Sequence, residues 1–248
     1  MKLNKRGVWP VVALLAVALV ANGAFADLIT PEVGNTTVVN GGSVVIDTPV
    51  WWADMGEYFG NGRAYVVPIQ LPTLPAGATF GSVDLAFGHN GPGAHPVDGR
   101  AGFFGAVAPD YNLDLYGLSR VSADADVIEA DHFSGPSDVS ATLVQDNFMD
   151  PDSPGDRAVI HTDGAGDLAL ESWLNLMYDN GANAGMYVFV RLNPDGVEGT
   201  LPYSGYQVMT AGAGGAEEKP ALTYTVVPEP ATFALMLAGM LAVGRRRR

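Results

Sequence analysis

The strongest constraint on what this chain can fold into is the shortness of its apolar runs. "SVVIDT" (43–48), "AYVVPIQL" (64–71), "FGSVDLAFG" (80–88), "NLDLYGL" (112–118), "MYVFVRL" (186–192), "YQVMT" (206–210) and "ALTYTVV" (221–227) have the length of strands. They are rich in β-branched and aromatic residues and are set among Gly, Pro, Asn and Asp. The second run puts Tyr65, Val67, Ile69 and Leu71 on one face. Pro68, on the other face, removes a ladder donor and predicts an edge strand or a bulge. In "MYVFVRL", Met186, Val188 and Val190 oppose Tyr187 and Phe189, so both faces are apolar, as in a central strand covered on both sides.

One stretch has a different period. In "GDLALESWLNLMYDNG" (166–181), Leu170, Trp173, Leu174, Met177 and Tyr178 recur at helical spacing. Asp167 offers an N-cap or first-turn acid, and Asn180-Gly181 a stop. Such a stripe lines a ligand groove or packs on a sheet, and packing is the expectation. Many strands, one helix and Gly/Pro-rich turns predict an all-β fold, a β-sandwich. The segment 88–111 reads as a long loop with a short strand around Phe103–Phe104.

The two ends are of another kind. Lys2, Lys5 and Arg6 precede an apolar run from Val11 to Val20 and then "ANGAFA", with small residues at Ala24 and Ala26. This is the pattern of a secretory signal peptide, cleaved before Asp27. At the other end Pro228, Glu229 and Pro230 lead into a nearly apolar stretch from Ala231 to Val243, then Gly244 and Arg245, Arg246, Arg247 and Arg248. Thirteen helical residues rise about 20 Å, short of the roughly 30 Å hydrocarbon core. The body between, 27–227, has six basic residues against 26 acidic ones, a net charge of −20. Nucleic-acid binding needs clustered Lys and Arg and is excluded. The chain has no cysteine, so an exported body must be stabilised by its core.

The tail "VPEPATFALMLAGMLAVGRRRR" resembles the PEP-CTERM sorting signal: a Pro-Glu-Pro triplet, one apolar segment and a terminal Arg cluster, in order. The resemblance implies export, arrest at the inner membrane of a Gram-negative bacterium, and cutting near Pro-Glu-Pro by an exosortase. It also implies a host that makes exopolysaccharide. Arginines that stay with cytoplasmic headgroups, and prolines that stop the helix extending into the last strand, agree with a temporary anchor. Residues 63–226 resemble the DNRLRE-type modules. The similarity lies in "AYVVPIQLPTLPAGATFGSVDLAF", "NLDLYGL", the helix leading into "DNGANAGMYVFVRLNP", and the closing "ALTYTV". Those modules are jelly-roll β-sandwiches related to carbohydrate-binding modules. The "NFMDPDSPGDR" insertion and the 88–111 loop depart from them.

Three groups of residues bear on chemistry. "VWWADMGEYFGNG" (50–62) carries Trp51, Trp52 and Tyr58, which stack on sugar rings or pack in the core. Adjacent tryptophans on a strand face opposite ways, so one of the two belongs to the core. Asp150, Asp152 and Asp156 lie close together in "DPDSPGDR" and are candidate ligands for Ca²⁺, although the full EF-hand pattern is absent. His89 and His95, with Asp98, form a thin metal set in a glycine-rich loop, where solvated side chains are the alternative. There is no G-x-S-x-G elbow, no cysteine nucleophile and no phosphate-cradling glycine loop, so no enzyme is expected.

These features predict a signal peptide (1–26), a jelly-roll-like β-sandwich with one short helix (27–227) and a sorting tail (228–248). A signal helix and a hydrophobic helix flank the body. The expected protein is a secreted, cell-surface or exopolysaccharide-associated, non-catalytic carbohydrate-binding module. Its partners are the export machinery, exosortase and, through a transmembrane helix in the tail, the inner membrane in transit. The alternative is a structural matrix or coat protein with no specific glycan site.

Overall fold

The structure, a computed structural model, describes residues 27–29, 36–39, 43–46, 52–58, 61–89, 103–105, 109–125, 141–152, 158–194, 204–210 and 219–228. In chain order the strands are β1 (Asp27–Ile29), β2 (Thr36–Val39), β3 (Ser43–Ile46), β4 (Trp52–Tyr58), β5 (Asn61–Gln70), β6 (Thr79–Gly88) and β7 (Phe103–Gly105). They continue with β8 (Leu113–Ser122), β9 (Ala141–Met149), β10 (Val159–His161), β11 (Tyr187–Pro194), β12 (Ser204–Met209) and β13 (Ala221–Val227). One helix, α1 (Gly164–Tyr178), lies between β10 and β11. The strands form two antiparallel sheets. The smaller runs β1-β13-β6-β10, and the larger runs β7-β12-β4-β5-β11-β8-β9, with β2 beside β5 and β3 beside β2.

The main core takes side chains from both sheets, and a smaller cluster of Val66, Leu118 and Phe189 lies apart from it. Phe80, Leu85, Phe87, Leu222 and Tyr224 come from the smaller sheet, and Val67, Ile69, Leu115, Val188, Val190 and Leu192 from the larger. Phe87 sits edge-on to Tyr65 (6.3 Å) and to Phe148 of β9 (5.7 Å), locking the sheets together through rings. The alternation in β5 is as expected, with Tyr65, Val67 and Ile69 in the core. β5 is interior by strand order, yet its pairings with β2 and β4 stop at Val66. Among the described residues, Val67 to Gln70 pair only with β11, so Pro68 falls on a locally open side where no donor is missed. β11 is central, between β5 and β8, with both faces buried.

α1 closes the open edge of the smaller sheet. β10 is only three residues long and pairs with Ala86–Gly88, leaving the first part of β6 without a strand partner on that side. Side chains of α1 take its place. Phe80 N donates to Asn175 Oδ1 (2.8 Å), Asn175 Nδ2 donates back to Phe80 O (3.0 Å), and Ser82 N donates to Glu171 Oε2 (3.1 Å). Leu85 N completes the edge by donating to Thr162 Oγ1 at 3.0 Å. β6 bulges here: its register with β13 gains one residue between Asp84 and Gly81, and Ser82 has φ 45°.

The sequence stripe is the buried face of α1. Leu170, Trp173, Leu174 and Tyr178 are buried, Met177 packs beside them, and each buried leucine contributes about 2 kcal/mol. Asp163 caps the helix, accepting from Ala165 N and Gly166 N, and Asp167 is the first-turn acid. The helix ends at Asp179, in left-handed geometry, rather than at Gly181. Its far end is tied down by Leu74 N donating to the Tyr178 hydroxyl (2.8 Å). No helix among the described residues is long and apolar enough to cross a membrane.

Candidate functional site

Along β4, Ala53 and Met55 enter the core. Trp52 and Asp54 alternate with them and lie half-buried on the outward face of the larger sheet. β12 repeats this: Tyr206 and Val208 are core, while Gln207 pairs with Asp54 and Met209 with Trp52. Gln207 Nε2 donates to Asp54 Oδ1 at 2.8 Å. An indole therefore stands two residues, about 7 Å, from a carboxylate fixed by a carboxamide. A flat apolar ring beside an oriented carboxylate is the chemistry that suits a sugar: the ring can cover a pyranose face and Asp54 can meet hydroxyls, while Gln207, 4 % exposed, holds the carboxylate from below. Sequence reading reached Trp52 but missed Asp54 and Gln207. The Trp-x-Asp spacing on a strand was the available signal.

Tyr58 is the last residue of β4, opposite Asn61. It lies six positions along the strand from Trp52, about 20 Å. Trp51 lies outside the described residues.

A second polar group on the outward face is buried. Phe189, Arg191 and Asn193 alternate with the core residues of β11. Arg191, fully buried, places its guanidinium carbon 5.0 Å from the centroid of Tyr116 on β8. The Tyr116 hydroxyl donates to Asp114 Oδ2 (3.3 Å), and Asp114 Oδ1 accepts from Asn147 N (2.9 Å). Asn147 has φ 53° and lies where the β8–β9 register slips. The carboxylate thus holds a backbone irregularity in β9, which is an architectural role.

Asp150 and Asp152 lie on the turn after β9. Asp150 Oδ1 accepts from Asp152 N (2.8 Å), an Asx turn that occupies one carboxylate oxygen with backbone. Asp156 is outside the described residues, and among the described residues no three His, Cys, Asp or Glu side chains gather to hold a metal. His89 is not the solvated loop residue its glycine neighbours suggested. It is fully buried, bridges to Val208, and packs 5.7 Å from Phe103 and 6.3 Å from Tyr206. His95 lies outside the described residues. Tyr65 is buried among the apolar side chains between the sheets, and burial pushes its phenol well above tyrosine's ordinary range.

At the C-terminus, β13 ends at Val227, paired with Thr79, and Pro228 follows directly, exposed. Residues 226–248 match the family model of the PEP-CTERM protein-sorting motif. The tail is a sorting signal. It marks the chain for export and for exosortase, and its Pro-Glu-Pro triplet begins one residue after the last strand. Glu229, Pro230 and Arg245–Arg248, like Ala24 and Ala26 of the expected signal peptide, lie outside the described residues. No curated protein matches the chain.

Proposed function

We propose that the chain is an exported protein held at the inner membrane by its tail, released by exosortase, and retained at the surface as a non-catalytic, polysaccharide-binding jelly roll. The fold part of this reading is supported by four nested strand pairings. Taking β1, β5, β6, β8, β9, β10, β11 and β13 as eight strands, the first pairs with the last, the second with the seventh, the third with the sixth and the fourth with the fifth. Nested pairing of this kind, spread over two sheets, is what rolling up one long hairpin produces, the double Greek key of a jelly roll. The strands β2, β3, β4, β7 and β12 are additions to the larger sheet.

The observation that carries the binding part is Trp52 on the outward face beside the Asp54–Gln207 pair, outside the core. The runner-up, a matrix or coat protein with no glycan site, is favoured by the body's charge of −20, which resists close association with acidic polysaccharide.

Co-sedimentation of the Asp27–Val227 form with the host's exopolysaccharide separates the two. Retention that Trp52→Ala abolishes, with the unfolding midpoint unchanged, supports the module. Retention indifferent to Trp52, or none, favours the coat protein. Calcium and chelator arms of the same assay test the Asp150–Asp156 turn.

A further inference from the structure

We propose that the end of the body from which the tail leaves is a membrane-docking surface, resting on phospholipid headgroups while the tail is anchored. The inference depends on the tethering part of the function proposed above. Only Pro228, Glu229 and Pro230 separate Val227 from the apolar run that begins at Ala231. Three residues reach about 10 Å at full extension. An anchored tail therefore brings the end of β13 within that distance of the bilayer, and the neighbouring elements come with it.

Those neighbours are fixed by the fold. Val227 pairs with Thr79, the residue after the Leu71–Ala78 connection. The C-terminal end of α1 lies at the same end, through Tyr178 to Leu74 and through Gly185 N donating to Leu71 O (2.9 Å). Its exposed residues include Pro75, Ala76, Leu176 (69 % exposed) and Val227 (48 %). The connection from Leu71 to Ala78 has no charged residue at all.

The described charges at this end are Arg120, Asp124 and Asp179, with Asp27 opposite Tyr224 and Glu171 at Ser82 three strand residues further in, a net of −3. At the opposite end Glu57, Asp110, Asp114, Asp146, Asp150 and Asp152 stand against Arg63 and Lys219, a net of −4. A body of net charge −20 would be repelled by anionic lipid in most orientations. It meets the bilayer with the end that carries the uncharged Leu71–Ala78 connection and two of its exposed apolar side chains, Leu176 and Val227. α1 runs antiparallel to β6, since Glu171 meets Ser82 while Asn175 meets Phe80. The helix then stands upright on the membrane, and Leu168, eight residues above Leu176, sits about 12 Å further out. The opposite end, at the far end of the ten-residue β6, sits about 30 Å out.

The cysteine-free chain makes the orientation measurable. The full chain, purified from membranes, is given single cysteines at Ala76→Cys, Leu176→Cys, Leu168→Cys or Asp152→Cys. Each variant is labelled with a fluorophore and reconstituted into phosphatidylethanolamine/phosphatidylglycerol vesicles that carry headgroup-nitroxide lipid. Quenching is expected to be strong at 76 and 176, at least twofold weaker at 168, and absent at 152. Equal quenching at 76 and 152 would mean the body hangs freely on its tether and would overturn the proposal. Shielding of the 176 label in detergent as complete as in vesicles would assign the surface to a second copy of the chain, with the same consequence. Flotation separates this from failure of the tether. A full chain that does not float with vesicles, or floats equally well with Leu235, Leu237 and Leu241 changed to Asp, removes the anchored tail and the docking surface together.

Discussion

Asn175→Ala is the sharpest perturbation of the architecture, because one side chain does the work of a missing strand. Its amide satisfies both Phe80 N (2.8 Å) and Phe80 O (3.0 Å) on a strand residue that is 1 % exposed. A typical intramolecular hydrogen bond contributes about 1 kcal/mol net, and a buried backbone group left without a partner adds its own desolvation penalty. Asn175 itself is half-buried, so water recovers part of the loss, and the expected destabilisation is about 2–3 kcal/mol. With a urea dependence of about 2–3 kcal/mol/M, the midpoint of the Asp27–Val227 form should fall by about 1 M. Tryptophan fluorescence reports the transition, since Trp173 is one turn-half away on the same helix. Hydrogen exchange should show lost protection at the Phe80 amide. Ser172→Ala is the control: its hydroxyl donates to Leu168 O within the helix and is exposed, so its effect should stay below about 0.5 kcal/mol. An Asn175→Ala midpoint within about 0.2 M of the parent, with Phe80 still protected, would refute the idea that α1 substitutes for a strand.

Further expectations concern packing, alkaline pH and binding. A Cβ added at Gly117 would sit 2.6 Å from Trp173 Nε1 and overlap the indole further, so Gly117→Ala should cost about 1–3 kcal/mol, and adding Trp173→Phe should be less than additive in denaturation. The phenol of Tyr65 is raised above its ordinary 10.0 by burial, so its contribution is complete below pH 10 and is lost as pH climbs toward the folded value. Tyr65→Phe should flatten the fall in stability measured above pH 10. Trp52→Ala should leave stability within about 1 kcal/mol while reducing exopolysaccharide retention in co-sedimentation, because Trp52 lies outside the core.

What the sequence made legible, and what it concealed, follows from which side chains face the core. β13 was readable to the residue because Leu222 and Tyr224 point inward and threonines alternate with them. β11 and the buried stripe of α1 were readable for the same reason. β9, "ATLVQDNFM", was hidden because Thr142, Leu143, Gln145 and Asp146 are not core residues and Asn147 leaves the extended region. β10 has three residues, too few to show a period, and its edge function passes to helix side chains that no strand pattern announces. β4 was not legible as a strand because Asp54 and Gly56 interrupt its apolar pattern, yet Asp54 is half of the candidate site. Arg191 was lost inside an apolar run, since burial of a guanidinium depends on Tyr116 and on partners far away in sequence. The sorting tail needed no fold: its order of elements is local and survives in the sequence alone.

The account stands most directly on what becomes of that tail. The protein should be recovered from the surface of its host and its intact mass measured, alongside the protein from cells lacking exosortase. Processing predicts a surface form that begins at Asp27 and ends near Val227, and a membrane-bound form in the mutant that still carries the tail. A surface form whose mass includes Phe233–Arg248 would contradict it.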